Sequence, residues 1–194
     1  MNCSLDLHIH SSRSPDGRMG VEEITQIARE RGLAAVAICD HDQPYTGPAQ
    51  CNGVLLIPGV EVSTTQGHLL GLFVEGVSGS RDLVSSAAEI REKGGLAVLA
   101  HPFQHRREME PLLPLVPSLD GVEVWNSRAN RKNPRANQMA ADFAQAQGLR
   151  PFAGSDAHLP QEIGNGRILV EVEACTLPAL RGALLGGQGQ VSVR

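Results

Sequence analysis

Apolar and polar residues alternate strictly over residues 5–10, which is the period-2 pattern of a β-strand with one buried face. Side chains two residues apart on a strand point to the same side, so His8 and His10 leave one face together, with Asp6 behind them. Taken alone, this pair is equally typical of a half-buried strand that carries two incidental histidines. Its meaning depends on which side chains the rest of the chain brings near it.

Further along the chain, short apolar runs alternate with helical patterns. The apolar runs predict strands at 33–38, 54–62, 68–74, 96–100, 120–125, 150–155 and 167–173. Apolar residues at helical spacing predict helices that begin at 21, span 81–93, and cover 139–144 and 177–184, while the Pro-rich stretch 110–120 predicts a loop or a short helix. We find no internal repeat, low-complexity tract or break in composition, so we expect one domain over residues 1–194.

This alternation of helices and strands favours an α/β fold with parallel strand pairing. The number of predicted strands is close to that of a barrel, whereas the chain of 194 residues is shorter than the about 250 residues typical of an eightfold barrel. We therefore expect a compact or distorted barrel. In parallel α/β folds the functional site lies at the C-terminal ends of the strands, so we expect the functional residues there.

Composition narrows the classes of function. The chain is 41% hydrophobic and 20% charged, which indicates a folded core, and its net charge of -4 argues against a general nucleic-acid binder. It has no apolar run of about 18 residues to cross a membrane, and no basic segment followed by an apolar one at its N-terminus, as a secretory signal has. Cys3, Cys39, Cys51 and Cys175 form no CxxC pair, so we expect free thiols and a cytoplasmic setting.

Histidine and carboxylate residues collect at the predicted strand ends. Six of the seven histidines occupy such positions, five of them at C-terminal ends; surface histidines would not follow strand boundaries in this way. Imidazole and carboxylate together are ligands of Zn, Mn and Fe rather than of Ca or Mg alone. The candidates are too numerous for one tetrahedral ion and suit two or three divalent ions, and the lack of cysteine among them argues against a structural thiolate zinc site. They are His8, His10, Asp16, His41, Glu61, His68, His101, Asp156 and His158.

Five motifs that contain these residues point to a family. The segments HIHSSRSPDG, CDHD, PGVEVSTTQGHLLGLF, LAHPF and GSDAH, in that order, resemble the polymerase-and-histidinol-phosphatase (PHP) domain family of metal-dependent phosphoesterases. The resemblance covers roughly residues 4–166. It implies an α/β fold, namely a distorted seven-stranded (β/α)7 barrel with up to three divalent ions at the C-terminal ends of its strands. No ligand position of the family pattern is missing.

The resemblance also assigns roles within the set. It implies that His8, His10 and Asp156 hold a first ion and that His68 and His101 hold a second. Glu61 would bridge these two ions, and Asp16, His41 and His158 would form a third position. The predicted catalytic residues are Glu61, His101, Asp156 and His158.

Such a cluster predicts hydrolysis of a phosphate ester. A water or hydroxide between two cations has its pKa lowered towards neutrality and becomes a nucleophile, and the ions also bind phosphoryl oxygens. We expect a small phosphomonoester as substrate, such as a nucleotide or a sugar or amino-alcohol phosphate. Two alternatives stay open: a phosphodiesterase or exonuclease acting on nucleic-acid ends, which the aromatic content of 3% argues against, and a metal-bound, non-catalytic PHP module.

Polar and cationic residues follow two of the strand ends. Asn126 and Arg128 come directly after the strand at 120–125; we expect both to contact the substrate, because a guanidinium fork suits phosphate. Further cations are candidates for the same rim. They are Arg106, Arg107, Arg131, Lys132 and Arg135.

Three carboxylates beside the ligands have two open interpretations. Asp6, Asp40 and Asp42 can each orient a ligand imidazole by accepting its second N–H, or can be solvated or capping groups. His105 lies outside the pattern of strand ends and is interpreted as a loop residue.

Overall fold

The apolar runs form strands of a single sheet, and the helical patterns form helices packed around it. The structure is a computed structural model that describes residues 1–78, 80–105 and 108–193. Its strands are β1 (Asn2–Ile9), β2 (Ala35–Ile38), β3 (Gln50–Cys51), β4 (Val54–Thr64), β5 (Gly67–Leu72), β6 (Leu96–Leu99), β7 (Gly121–Asn126), β8 (Arg150–Gly154), β9 (Gly166–Glu171) and β10 (Gln190–Val193). Its α-helices are α1 (Val21–Glu30), α2 (Leu83–Glu92), α3 (Ser127–Lys132), α4 (Ala136–Gln147) and α5 (Leu177–Leu185), with 3-10 helices at Glu110–Ser118 and Pro160–Glu162.

The sheet follows the order β10-β9-β1-β2-β4-β5-β6-β7-β8, with β3 paired to β4 at the side. Beyond the end of this path, the segment after β8 returns to β1: His10 N donates to Ala157 O at 2.9 Å, and Asp156 N donates to His8 O at 2.8 Å. The sheet therefore curls into an α/β, nearly closed, barrel-like form, as predicted. The predicted count of seven strands is not confirmed, because the described residues form a sheet of ten strands, in which a bridge between Ile9 and Ala157 joins β1 to the segment after β8.

A buried apolar cluster confirms that the sheet curves around its own interior. Leu5 of β1, Leu70 of β5 and Phe152 of β8 belong to one cluster, although these strands are far apart in the sheet order. Residues of α5, including Leu180, complete the same cluster. Two further clusters cover the outside, one beneath α1 and one beneath α2, α4 and the longer 3-10 helix. The interior of the barrel is thus filled with apolar side chains, and the polar side chains of the candidate site lie at its rim.

Strand direction differs from the expectation of parallel pairing at several places: β1–β9, β9–β10 and β3–β4 are antiparallel, and so are the two pairings of β5. The pairs β1–β2, β2–β4, β6–β7 and β7–β8 are parallel. For β5 the reason is local, because only two residues separate β4 from β5, and so short a connection makes a hairpin rather than a crossover. As a result Glu61 lies within β4 rather than at its end, and His68 lies in the returning strand.

Helix boundaries follow local capping chemistry. Asp82 accepts a hydrogen bond from Ser85 N at the start of α2, and Asn126 accepts one from Ala129 N at the start of α3. The predicted helix over 81–93 is confirmed with tighter limits, and the Pro-rich stretch is a 3-10 helix. Four elements among the described residues were not predicted: α3, the short strands β3 and β10, and the 3-10 helix at Pro160–Glu162. They are too short for hydrophobic periodicity to reveal.

The cysteines are free, as predicted, and two of them are buried. None of the helices in the described ranges combines the length and apolar composition that a bilayer crossing requires. The strands from β1 to β10 belong to one sheet; the organisation as a single domain over residues 1–194 stays a prediction.

Candidate metal centre

Strained backbone marks the ends of β6 and β8. His101 follows β6 with a φ of 27°, and Asp156 follows β8 with a φ of 55°. Residues with a side chain rarely adopt such left-handed conformations, which cost roughly 1–3 kcal/mol and persist where the surrounding structure imposes them. Both residues are predicted ligands, so the strain lies where the chain turns these two side chains towards the end of β1.

Four buried side chains form the innermost part of the site, and we call them the inner ligands: His8, His10, Glu61 and Asp156. The Nε2 atoms of His8 and His10 are 3.1 Å apart. Glu61 Oε2 lies 3.5 and 3.3 Å from these two nitrogens, and Asp156 Oδ1 lies 3.8 and 3.3 Å from them. Each of the four side chains is at most 5% exposed.

Glu61 joins the inner ligands to the β4–β5 hairpin. Its Oε1 lies 2.8 Å from His68 Nδ1 and 2.9 Å from His101 Nε2, and its Oε2 lies 3.1 Å from His41 Nδ1. Ser63 pairs with His68 across the hairpin, and Glu61 shares the face of Ser63 because side chains alternate along a strand. The hairpin register therefore brings His68 to Glu61.

Three ligands line the outer rim, and we call them the outer ligands: Asp16, His41 and His68. Their side chains are 46%, 24% and 37% exposed. Asp16 Oδ2 lies 2.8 Å from His158 Nε2 and 3.8 Å from His41 Nε2. The loop that carries Asp16 is tied down by Asp40, whose two oxygens accept hydrogen bonds from Ser11 N and Ser11 Oγ at 2.6 Å.

The nine predicted ligands fall into four groups whose candidate ligand atoms lie within 4.8 Å of one another. His8, His10, His41 and Glu61 each belong to two groups; among these side chains the carboxylate of Glu61 can bridge two ions, whereas a neutral imidazole ligates one. The groups are His10, Asp16, His41 and His158; His8, His10 and Asp156; His8, Glu61 and His101; and His41, Glu61 and His68. The fold thus gathers every predicted ligand at one end of the barrel, and metal binding by each of them stays a prediction.

Unpaired nitrogens test whether the donors fit a metal ion. His41 Nδ1 is buried and has no hydrogen-bond partner in the part of the chain that the structure describes, although Glu61 Oε2 is only 3.1 Å away. When an imidazole nitrogen and a carboxylate oxygen lie close together without forming a hydrogen bond, both can serve as ligands of the same cation. The facing Nε2 atoms of His8 and His10 fit the same interpretation, and an all-nitrogen-and-oxygen donor set suits Mn, Fe or Zn. The residues present therefore fit divalent ions.

The pKa shifts of the inner histidines and of His41 have opposite directions. Burial alone would lower the pKa of His10, but the carboxylates of Asp156 and Glu61 outweigh it and raise that pKa to about 9. The pKa of His8 is likewise raised well above its ordinary value against the effect of burial, by Glu123, Asp156 and Glu61. In contrast, burial lowers the pKa of His41 below its ordinary value. Without a metal ion, the inner imidazoles therefore hold a proton more tightly than His41 does.

Glu123 of β7 is the residue that sequence reasoning missed. It is buried, and its Oε1 lies 3.1 Å from His8 Nδ1, so that His8 Nε2 is turned towards the other inner ligands. Its Oε2 accepts hydrogen bonds from His101 N and Asn126 Nδ2, each at 2.9 Å. A glutamate at the centre of the apolar run DGVEVW is a signal that could have revealed it. Nearby, a Cβ on Gly154 would lie only 2.4 Å from His8 Cβ, so glycine is required there.

Of the two open interpretations of Asp6, Asp40 and Asp42, the structure favours the capping one, because all three accept hydrogen bonds from backbone N–H groups. Asp6 is buried and accepts hydrogen bonds from Ser155 N at 2.9 Å and Gly164 N at 2.7 Å, and burial raises its pKa to about 6. Asp42 accepts one from Ser63 N. Asp6, Asp40 and Asp42 thus hold the loops around the centre, and the carboxylate against an imidazole Nδ1 at the inner ligands is Glu123.

The predicted substrate residues lie on and beside α3. Arg128 and Lys132 line the same cavity as Asp16, Glu61 and Asp156, which has a volume of about 240 Å³. Asn126 is fully buried at the start of this helix, and its Nδ2 lies 3.4 Å from Asp156 Oδ2. Its direct contact with a substrate stays a prediction.

The remaining rim cations are placed differently. Arg131 turns to Glu162, whose other oxygen accepts a hydrogen bond from His158 N at 2.8 Å, so it braces a ligand loop. Arg135 is exposed at the start of α4. Arg106 and Arg107 lie outside the described residues. His105 lines the cavity but belongs to none of the four ligand groups.

Comparison with protein families decides the assignment. A model of the PHP domain matches residues 6–116, and a model of a PHP-associated region matches residues 134–188. The chain belongs to the PHP family of metal-dependent phosphoesterases. An uncharacterized protein of Methanocaldococcus jannaschii is 31% identical over 172 residues, which cover 84% of this chain and 69% of the relative. The predicted family and enzyme class are confirmed, and with them the use of divalent metal.

Solved structures share the fold of this PHP phosphoesterase. A two-domain protein from Bacteroides vulgatus, described as containing a predicted PHP-like metal-dependent phosphoesterase, superposes with a TM-score of 0.76 at 19% identity. A lesion-specific endonuclease Q from Pyrococcus furiosus superposes with a TM-score of 0.71 at 20% identity. These matches cover 100% and 98% of this chain but only 65% and 58% of the solved chains. A complex of Endonuclease Q with a 27-mer duplex, with an abasic lesion at the active site, is similar at a TM-score of 0.69.

Proposed function

We propose that this PHP phosphoesterase hydrolyses a small phosphomonoester at a cluster of two or three divalent ions. One observation carries the proposal: Arg128 and Lys132 line the same cavity of about 240 Å³ as the metal-ligand carboxylates Asp16, Glu61 and Asp156. A space bordered by both kinds of group can neutralise a phosphate dianion from two sides. The volume suits a phosphoryl group with little of its ester.

The ions, when bound, lower the pKa of a water molecule and offset negative charge on the phosphoryl oxygens. This chain's residues would hold the ions in place: the inner ligands would do so from strand ends and from within β4, and the proposed bridging carboxylate is Glu61. His101 and His158, with Asp156 and Glu61, are the proposed catalytic residues, because their ligand atoms surround the cavity in which the phosphoryl group would sit.

Arg128 is proposed to bind and orient the phosphate. It is half-buried on α3, and its charge contributes to lowering the pKa of His158, after burial and the charge of His10. A planar guanidinium offers two parallel hydrogen bonds to a phosphate, which fixes the ester in one orientation. Asn126 is proposed to act with it by capping α3 and holding this helix against Asp156.

Hydrolysis of nucleic acid is the second candidate, because Endonuclease Q shares the fold and acts on duplex DNA. The chain spans 58% of the length of the endonuclease Q chain. A net charge of -4 and an aromatic content of 3% favour the small substrate, since binders of single strands use cationic grooves and stacked aromatic residues.

A substrate panel separates these candidates. Metal-free protein is loaded with Mn²⁺, Fe²⁺ or Zn²⁺ and assayed for phosphate release from small phosphomonoesters and for cleavage of short oligonucleotides and a duplex with an abasic site. We expect release of inorganic phosphate from monoesters and intact oligonucleotides. Cleavage of the duplex without monoester turnover would replace the proposal by the nuclease alternative, and no turnover with any substrate would indicate the non-catalytic module.

A further inference from the structure

A second cavity, of about 460 Å³, opens directly beside the metal centre. It lies between the β4–β5 hairpin, the end of β6 and the 3-10 helix at Glu110–Ser118, and it shares His68 and His101 with the cavity over the ligands. Its volume falls within the about 300–1,000 Å³ typical of sites for small organic ligands. The phosphoryl group alone does not account for a space of this size.

The walls of this side cavity combine apolar residues with glutamine and histidine side chains. Leu99 and Ala100 at the end of β6, Pro102 in the following turn, and Leu112 in the 3-10 helix contribute to the apolar part. Arg128 and Lys132 line only the cavity over the ligands and not the side cavity. A phosphate ester held by those cations would therefore direct its phosphoryl oxygens towards α3 and its alcohol part into the side cavity.

Gln104 stands at the border of the two cavities and carries an unsatisfied polar atom. Its backbone N donates to His101 O at 3.1 Å, which fixes the turn, and its side chain lines both spaces. Gln104 Nε2 lies 2.8 Å from His105 Nε2, whereas the buried Gln104 Oε1 has no partner among the described residues. Rotating the amide would only exchange the two atoms, and a buried group left without a partner is costly. A hydroxyl group of a ligand would satisfy either atom.

We propose that the side cavity is the subsite for the alcohol part of the substrate, and that it selects alcohols with an apolar ring and a hydroxyl group that reaches Gln104. This inference rests on the proposed phosphomonoesterase function and narrows its substrate class. Esters of small acyclic alcohols leave the apolar part of the walls in contact with water and gain no such binding.

The test compares ethyl phosphate with benzyl phosphate, whose alcohols have similar acidity. We expect kcat/KM for benzyl phosphate to be higher by at least about tenfold, because burial of an aromatic ring is worth more than the about 1.4 kcal/mol that this ratio represents. Gln104→Trp, which fills the side cavity, should lower kcat/KM for benzyl phosphate more than for ethyl phosphate and so remove this preference. Gln138→Trp, on the exposed side of α4, is the matched control and should retain the preference.

Two further measurements keep the outcome independent of turnover and of folding. Binding of 2-phenylethylphosphonate, a non-hydrolysable analogue of benzyl phosphate, is measured by calorimetry and should weaken at least about tenfold in Gln104→Trp. Gln104→Leu, which keeps the side-chain volume, should retain ring binding but bind a ring-hydroxylated analogue no better than the plain one. Thermal melting and metal content verify that each variant is folded and loaded.

The results distinguish the subsite from the activity. If the phosphonate binds and Gln104→Trp weakens it while no ester is hydrolysed, the subsite stands and the proposed function fails. If both esters are hydrolysed at similar rates, or Gln104→Trp lowers both equally, the subsite is wrong and the activity stands. A preference for benzyl phosphate that persists in Gln104→Trp also overturns the proposal.

Discussion

The inner and outer ligands present the same chemical groups in opposite settings. The inner ligands come from strand ends and from within β4, and each is at most 5% exposed. The outer ligands sit on loops and on the hairpin, and they are 24–46% exposed. Glu123 turns His8 towards the centre through a hydrogen bond, whereas Asp16 depends on a loop held by Asp40.

This difference indicates which of the candidate ligands the fold preorganises before an ion binds. Inner ligands are fixed by strand pairing and buried hydrogen bonds, so binding an ion requires little ordering. Outer ligands face the solvent and can exchange an ion or admit a substrate. We therefore expect the inner positions to bind metal more tightly and the outer position to vary in occupancy.

Removal of all metal is expected to have the largest effect, because it acts on the inner and the outer ligands together. Exhaustive chelation should abolish phosphate release, because neither region can act without ions. It should also lower Tm by about 5–10 °C, since ligand at 100 times its Kd contributes about 2.7 kcal/mol and each kcal/mol shifts Tm by about 2–4 °C at this chain length. Calorimetric melting with elemental analysis checks this. Full activity and unchanged melting in verified metal-free protein would contradict the cluster.

Glu61→Ala compared with Asp16→Ala tests the two regions against each other. Glu61 contacts inner and outer histidines and belongs to two ligand groups, so its loss should reduce the metal content by more than one ion per chain and reduce activity to background. Asp16→Ala, and likewise His158→Ala, should reduce metal content by one ion or less. Elemental analysis of the purified variants measures this, and equal losses would argue against Glu61 as a bridge.

Arg128 tests the substrate side of the outer region. Arg128→Ala removes up to two charge-assisted hydrogen bonds of about 1.5–3 kcal/mol each, so kcat/KM should fall about 10- to 1000-fold. Metal content should stay unchanged, because a guanidinium does not ligate a cation. Arg128→Lys should recover only part of the loss, since an ammonium lacks the fork. Activity equal to the unsubstituted protein in both variants would move the phosphate contact to Lys132.

Glu123→Gln sharpens the account of the inner ligands. The amide keeps the size of the side chain but binds His8 Nδ1 less strongly, so metal affinity should fall about 10- to 100-fold, as is usual when such a carboxylate is lost. Asp42→Asn, which also removes one charge near the centre, is the matched control and should change affinity less. Competitive titration with a chelating dye measures both. Identical effects of the two changes would show that Glu123 acts through its negative charge alone and not through its hydrogen bond to His8.

The pH dependence of stability is the smallest of these effects. Because the pKa of His10 is raised to about 9 in the metal-free protein, its proton stabilises that form fully below pH about 6.5, and this contribution is lost as the pH rises towards 9. Metal ions must displace the same proton, so the increase in Tm on adding metal should grow between pH 6.5 and 9. Melting curves with and without metal across this range test it; a constant increase would show that His10 does not lose a proton on binding.

Much of this molecule could be read from residue order alone. The alternation around His8 and His10 predicted β1, and ligand types at strand ends predicted the rim of the barrel, because side-chain direction on a strand depends only on local geometry. All nine candidate ligands were named from the strand ends and the family motifs, and the fold brings them together; metal binding by them stays a prediction. The resemblance to the family rested on the same motifs, because each motif is a short stretch of consecutive residues that can be recognised without knowing the fold.

Only the tertiary structure decided what depends on residues far apart in the chain. Glu123 meets His8 across 115 positions of sequence, a contact that no spacing rule predicts. The antiparallel β5 placed His68 against Glu61 through hairpin register rather than through a strand end, and the turn after His101 brought Gln104 to the border of two cavities. Periodicity determines which way a side chain points; the packing of one strand against another determines what it meets.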